Sequence, residues 1–426
     1  MGQGVLGGTL LWTNEGPRAV ETVQPGSTLV AFDPAAFVRT SVILRRAQPR
    51  HTSSCIELLV GGRLLLAAPE QHFVSFTVDG RWTTRAARDL RPEMLLPVNR
   101  HVPVSSKPIS LPDLDSALTQ LLGEDALALA DAIYEREKYF EEMGKRRQRL
   151  KLFELSGYLL SDAEVLGDNL LIVDRPRNVV GYYTDIFQHT FGRILEDRSD
   201  IPLLTHRLHR WMGEGLHPAP LRALPAWAWK LEGLARAAFL RGFFDVAGEV
   251  SEQAVTMRHP SRRLVSGVQA LLGMLGVEAT IALVEEEDVP YQLTIRNVRR
   301  FAEWVNSNDP AKAGVLRAVY RREPRYPPES CAMLPLNKVR PVLARLRATY
   351  QLPRHTSDTV DERDAAAVST LRLLATAFHD VALRELVNQQ LYLEPITSIR
   401  VTSGGTAFAL HTHHPKCVIT NGVVIG

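Results

Sequence analysis

With 426 residues the chain exceeds one ordinary domain and is long enough to bury substantial cores. Its 45% hydrophobic and 23% charged residues exclude a disordered chain, and a net charge of +3 makes any basic surface a local matter. Three cysteines (Cys55, Cys331, Cys417) exclude a disulfide framework; with no signal sequence and no apolar run of the ~20 residues that span a bilayer, a cytoplasmic protein off the membrane is expected.

Residues 1–104 read as strands. Short β-branched or apolar runs at 28–32, 41–44, 55–60, 64–67 and 73–78 are broken by Gly and Pro, and Asp79-Gly80 signals a hairpin. From Leu111 the texture changes. Residues 118–129 and 130–149 carry apolar residues at helical spacing, with a charged run at 135–151 on the solvated side. Helical and mixed patterns continue to Gln389. Residues 391–426 again read as strands, with Gly404-Gly405 and Asn421-Gly422 as turns. A tail of that size cannot bury a core alone, so it is expected to pack on the N-terminal strands. The boundaries expected are 1–104 and 390–426 for one β domain and 105–389 for an insertion with a C-terminal helical extension.

Within the insertion, residues 155–163 (LSGYLLSDA) and 240–248 (LRGFFDVAG) share a pattern: glycine third, bulky residues after it, an acid near the end. Asp162 is eighth in the first copy, whereas the eighth residue of the second is Ala247. The pair resembles the motif helices of LAGLIDADG (DOD-type) homing endonucleases, here near 152–163 and 236–248. The resemblance implies two pseudo-symmetric α/β halves whose helices meet at Gly157 and Gly242. It also implies an acid at the base of each helix, the two holding Mg²⁺ against the scissile phosphates of double-stranded DNA. Asp162 is the acid of the first half. Ala247 marks the lost acid of the second, with Asp245 two residues earlier on another face of the helix and Glu249 two residues later as a possible substitute. Glu164 holds the equivalent place in the first copy.

After the second motif, residues 249–257, 277–284 and 291–296 read as strands and 262–275 and 298–305 as helices, the β-α-β-β-α course of such a half. The first half, 168–192 with a helix at 182–187, is shorter. Arg175, Arg177, Arg258, Arg262, Arg263, Arg296 and Arg299 are the candidate DNA-backbone contacts, for at least half of which solvation alone is the simpler role. The basic run 145–151 reads first as a solvated helix face. Lys338 is a weak candidate for an accessory lysine, and the helical stretches 311–322, 339–350 and 361–391 read as buttresses.

The flanking segments resemble an intein, a Hint (horseshoe) splicing fold interrupted by an endonuclease. The resemblance rests on residues 4–10, 62–73, 81–97 and 408–425, taken as its opening, second, following and last blocks. Splicing needs a nucleophile at the first junction, and Gly4 stands there without one. His72 keeps the histidine of the second block, but the threonine three residues before it is Pro69. The acid of the last block falls on Ala409. Asn421 belongs to the last-block Asn-Gly, and the closing His-Asn of the family reads Ile425-Gly426. His413, His414 and Pro415 compete for the histidine of the penultimate strand. His411, His413 and His414 lack a Cys or acid at ligand spacing, which argues against a metal site there.

The expected function is therefore that of an intein-derived protein that binds a long double-stranded DNA site and, if the remaining acid suffices, cleaves it with Mg²⁺. Self-splicing is expected to be lost. Both motif helices lie in one chain, so a monomer is expected, associated with the nucleoid when on DNA. The alternatives are a nuclease-dead sequence-specific DNA-binding protein and an inert relic.

Overall fold

The computed structural model describes residues 4–104, 141–166, 169–172, 179, 181–186, 208, 209, 211–284, 289–322, 332–350, 367–388, 391–413 and 417–426. Side chains are excepted at 141–149, 162, 164–166 and 169–172. The N-terminal strands are β1 (Val5–Leu6), β2 (Leu10–Thr13), β3 (Gly16–Ala19), β4 (Thr28–Asp33), β5 (Val38–Val60), β6 (Arg63–Ala67), β7 (His72–Phe76), β8 (Trp82–Ala86) and β9 (Leu95–Asn99). The middle carries α1 (Glu141–Asp162), β10 (Ala163–Leu166), β11 (Asn169–Ile172) and α2 (Gly233–Ala247). It continues through β12 (Gly248–Val250), β13 (Val255–His259), α3 (Arg262–Met274), β14 (Thr280–Leu283), β15 (Tyr291–Ile295), α4 (Val298–Trp304) and α5 (Pro310–Arg321). Then come α6 (Leu336–Tyr350), α7 (Val368–Ala377), α8 (Val381–Val387), β16 (Leu391–Thr412), β17 (Cys417–Thr420) and β18 (Val423–Ile425).

The chain divides into two compact units. One combines residues 1–104 with 328–426, and the other is 105–327. In the first, strands from both chain ends interleave in the order β3-β2-β17-β4-β5-β6-β1-β16-β9-β18-β7-β8. The C-terminal strands are buried between N-terminal ones, and Ile396, Val418, Val423 and Ile425 share a core with Leu11, Val42, Leu58, Phe73 and Val98. At roughly 1.5–3 kcal/mol for each fully buried aliphatic side chain, these four residues tie the tail firmly to the N-terminal strands. The architecture is thus an all-β unit interrupted by an α/β unit.

Several expectations need correction. The runs at 41–44 and 55–60 are one strand, β5, because the polar stretch between them pairs throughout with β16, from Ile396 opposite Val60 to Thr412 opposite Leu44. Gly404-Gly405 is no turn but an interior stretch of β16. A Cβ at Gly404 would lie 1.8 Å from the Thr52 carbonyl oxygen, so the pair marks close backbone approach. The residues after 328 belong with the β unit rather than with the insertion. Their backbone is satisfied there: Met333 exchanges hydrogen bonds of 2.9 and 2.7 Å with Leu393, and Leu336 N donates to Val78 O at 3.0 Å. The helical patterns at 118–140 lie outside the described residues.

In the second unit, β12-β13-β15-β14 form a four-stranded antiparallel sheet. α3 starts on the Ser261 hydroxyl, which accepts from Leu264 N at 3.3 Å. α4 starts on the Asn297 carboxamide, which accepts from Arg300 N at 3.0 Å. Such caps satisfy amides the helix leaves open and fix where each helix begins.

Candidate nucleic-acid interface

The helices α1 and α2 meet at their glycines. A Cβ on Gly157 would stand 1.9 Å from the Phe239 carbonyl oxygen, and one on Gly242 would stand 1.8 Å from that of Glu154. Backbone touches backbone at both points, which only glycine permits. The contact is mutual, each glycine lying against the carbonyl of the residue three before the other.

At the base of the pair the two helices end differently. α1 terminates on Asp162, whose side chain lies outside the described residues. Its final carbonyls are held by Arg222, which is 3% exposed. The Arg222 guanidinium donates to Leu160 O at 2.9 Å, Ser161 O at 3.2 Å, Ala163 O at 2.8 Å and His217 O at 3.1 Å. Burial, then the Arg222 charge, lowers the nearby His259 to about 4, so the ring is neutral and its Nδ1 accepts from Ser261 N at 3.0 Å. α2 terminates on Ala247, half-buried and without an oxygen ligand. Here the Lys312 ammonium donates to Phe244 O at 3.1 Å and Asp245 O at 2.6 Å. A cation on terminal carbonyls is favoured by the helix dipole.

The carboxylate of Asp245 is committed elsewhere. It is 3% exposed and accepts from Tyr183 Oη at 2.6 Å, Ser307 Oγ at 2.5 Å, Asn308 N at 3.0 Å and Asn308 Nδ2 at 3.0 Å. Asn308 Nδ2 also reaches Glu154, which takes further bonds from Tyr182 Oη at 3.1 Å and Arg241 Nη1 at 3.3 Å. Burial and the two carboxylates push both tyrosine hydroxyls up, so they remain donors. Glu249 is exposed on β12 and accepts from Thr256 Oγ1 at 3.5 Å. Among the described residues no group of three or more His, Cys, Asp or Glu is arranged to hold a metal ion.

The sheet has one apolar and one polar face. Val255, Met257, Ile281, Leu293 and Ile295 are buried, and the alternate positions are Glu249, Thr256, Arg258, Thr280, Gln292 and Thr294. The register aligns Glu249, Thr256, Thr294 and Thr280 across the four strands, with Arg258 opposite Gln292 in the next row. The threonine hydroxyls and the Gln292 amide have the donor and acceptor chemistry that reads base edges, with the Glu249 carboxylate at one edge and the Arg258 guanidinium beside them. Sequence reasoning had selected only Arg258 and Glu249 from this face, because the threonines became legible only once the strand register was known.

The arginines separate. Arg258 and Arg296 are exposed, and Arg262 is half-buried in the first turn of α3. Arg263 is paired with Glu214 at 2.7 Å. Arg299 is consumed in structure, donating to Tyr320 O at 3.0 Å and Arg322 O at 2.6 Å while its guanidinium lies over the Tyr320 ring. Arg299 thus closes the end of α5. Arg175 and Arg177 lie outside the described residues. Lys338 sits in α6, in the β unit.

In the β unit, His72, Ala409 and Gly426 of the splicing-like blocks line a cavity of about 710 Å³ together with Gln71, His411 and Cys417. Gly4 N donates to Gln71 Oε1 at 3.1 Å, and Gln71 Nε2 donates to Gly426 O at 3.0 Å and His72 O at 2.8 Å. Gly4 has φ +103°, and a Cβ there would stand 2.1 Å from Phe408 O, so the backbone leaves no room for a nucleophilic side chain. Burial raises the Cys417 thiol. Asn421, of the last-block Asn-Gly, is held structurally. It is 6% exposed at φ +47°, accepts from Leu10 N at 2.8 Å and donates to Leu64 O at 2.7 Å. His414 and Pro415 lie outside the described residues.

Residues 235–306 match a family model described as a LAGLIDADG-like domain. No curated protein matches the chain. Among solved structures, the bacterial intein-like domain from Clostridium thermocellum is 22% identical over 22% of this chain and 64% of its own, with a TM-score of 0.20. A splice-inactive variant of the AceL NrdHF class 3 split intein is 16% identical over 22% and 63%, with a TM-score of 0.21. The PabCDC21-1 intein is 14% identical over 23% and 74%, with a TM-score of 0.20. The chain spans less than two thirds of the length of the first two. No helix among the described residues is long and apolar enough to cross a membrane. From α2 through its four-stranded sheet to α4, this chain carries a LAGLIDADG-like domain.

Proposed function

We propose that the 105–327 unit recognises a long double-stranded DNA site and does so without the second half's metal chemistry, in a chain of intein descent that no longer splices. The polar face of the β12-β13-β15-β14 sheet is the base-reading surface, with Arg258 and Arg296 on flanking phosphates. The observation that carries the loss of paired metal chemistry is the end of α2. Ala247 offers no carboxylate, Asp245 is locked by Tyr183, Ser307 and Asn308, and the Lys312 ammonium already occupies the terminal carbonyls. The resemblance implies Mg²⁺, but the donors at this helix end do not fit a divalent ion.

One strand is a separate matter. α1 terminates on Asp162, and this favours, as a second reading, Mg²⁺-dependent nicking of a single strand. For splicing, Gly4, Pro69 and Ala409 remove the nucleophile, the hydroxyl and the acid that the intein resemblance requires.

The test is selection of bound sequences from a random duplex pool, in EDTA and in Mg²⁺. The reading expects one enriched site under both conditions, with binding weakened at least tenfold by Arg258→Gln with Arg296→Gln. Enrichment of no sequence over random duplex would leave an inert relic.

A further inference from the structure

A basic surface outside the LAGLIDADG-like unit lies on β5 between Leu44 and Thr52, where β5 pairs with β16 and β1 flanks β16 at Ala407 and Phe408. Arg45, Arg46, Arg50 and His51 are all exposed on it. The three arginines equal the net charge of the whole chain, +3. From Val38 to Ile56 on β5, and from Ser398 to Thr412 on the paired stretch of β16, the sequence holds no Asp or Glu. The flanking acids are Asp33 on β4, beside Arg39, and Glu57, which is buried opposite Arg400. None of Arg45, Arg46 and Arg50 makes an ion pair or hydrogen bond to another side chain among the described residues. Arg46 and Arg50 also help hold the His411 imidazole, the cross-strand neighbour of Arg46, below its usual range after burial.

Three uncompensated guanidinium groups on a paired strand are a costly concentration of like charge, which a polyanion relieves. Arg46 and Arg50 lie on one face, four residues apart and therefore roughly 13 Å apart at ~3.3 Å per residue. That span covers about four base steps at ~3.4 Å each, so the two groups meet different phosphates rather than one. Arg45 sits at the register shift between the Arg46–His411 and Leu44–Thr412 pairs, where the extra residue of β5 is left unpaired and exposed.

We propose that this stretch of β5 is a second, sequence-independent DNA contact, binding the phosphate backbone of duplex DNA through Arg45, Arg46 and Arg50. It shares its ligand with the proposed function but rests on the other unit of the chain. Neutralised phosphates release counterions, so each arginine contributes about 0.9 to the slope of log K against log salt.

The experiment is fluorescence anisotropy of the full chain with a 30-base-pair random duplex, titrated from low to moderate salt. Arg45→Gln/Arg46→Gln/Arg50→Gln is expected to make the slope shallower by about 2–3 and to weaken binding more than tenfold near 0.1 M salt. The triple lysine variant is expected to restore most of the slope, and thermal melts of both are expected to match the parent because all three side chains are exposed. An unchanged slope in the glutamine variant overturns the proposal, as does an absence of duplex binding by the parent or equal competition by polyglutamate. The sheet-face variant Arg258→Gln/Arg296→Gln serves as the independent arm. If it alone loses selected-site binding, the β5 contact is wrong and the DNA-reading sheet stands. Loss confined to the β5 variant gives the opposite result.

Discussion

α1 and α2 pack through matching glycines yet close on unlike chemistry. The end of α1 is clasped by a buried guanidinium making four bonds to carbonyl oxygens, and its last residue is an acid. The end of α2 has no acid and is closed by a half-buried ammonium on two carbonyls. Packing symmetry has survived where chemical symmetry has not. Close backbone approach at Gly157 and Gly242 is a packing requirement, which the residues closing the two helix ends do not share. The difference teaches that close packing of the helix pair does not require matching chemistry at its two ends.

The packing half of that comparison is the easiest to break. Gly242→Val and Gly157→Val should each destabilise the unit by about 3 kcal/mol or more, since the new side chain meets backbone rather than a movable side chain. Equal shifts in urea midpoint for the two variants would bear out the symmetry of the contact. Arg222→Met comes next. It leaves buried carbonyls unpaired and should cost about 3–4 kcal/mol, read as a lower melting temperature.

His259 extends the asymmetry to pH. Its folded value of about 4 lies below the unfolded value of 6.5, so the unfolded chain takes up a proton first as pH falls. Its contribution is intact above pH 6.5 and is lost progressively down to pH 4, by about 3 kcal/mol in all. Melts of the parent and His259→Gln across that window should converge toward the acid end. Lys312→Met is the smallest of the set, at about 1 kcal/mol, because the ammonium is only half-buried and water can replace it. A loss as large as that of Arg222→Met would erase the proposed contrast between the two ends.

The sequence made the paired motifs legible because glycine spacing and bulky neighbours survive in both copies, and the missing acid at Ala247 needs no structure to be seen. The clasps at the helix bases were not legible. Arg222 stands alone in an irregular Pro-rich stretch, and Lys312 reads as one more charge on an amphipathic helix; only the fold brings either to a helix end. Asn421 is legible only as part of an Asn-Gly turn in a splicing-like block, while its two buried hydrogen bonds join residues hundreds of positions apart. The long β5–β16 ladder was hidden for a similar reason. Its polar middle breaks any local strand signal, and only pairing across the chain makes it a strand.

The most direct test is strand cleavage of the selected duplex by the full chain in Mg²⁺, scored separately for each strand, beside binding in EDTA. The account expects tight binding without metal and no double-strand break, with at most one strand nicked and that nick abolished by Asp162→Asn. Linear product cut in both strands by the unaltered chain would contradict it, because α2 would then be supplying the chemistry that Ala247 lacks.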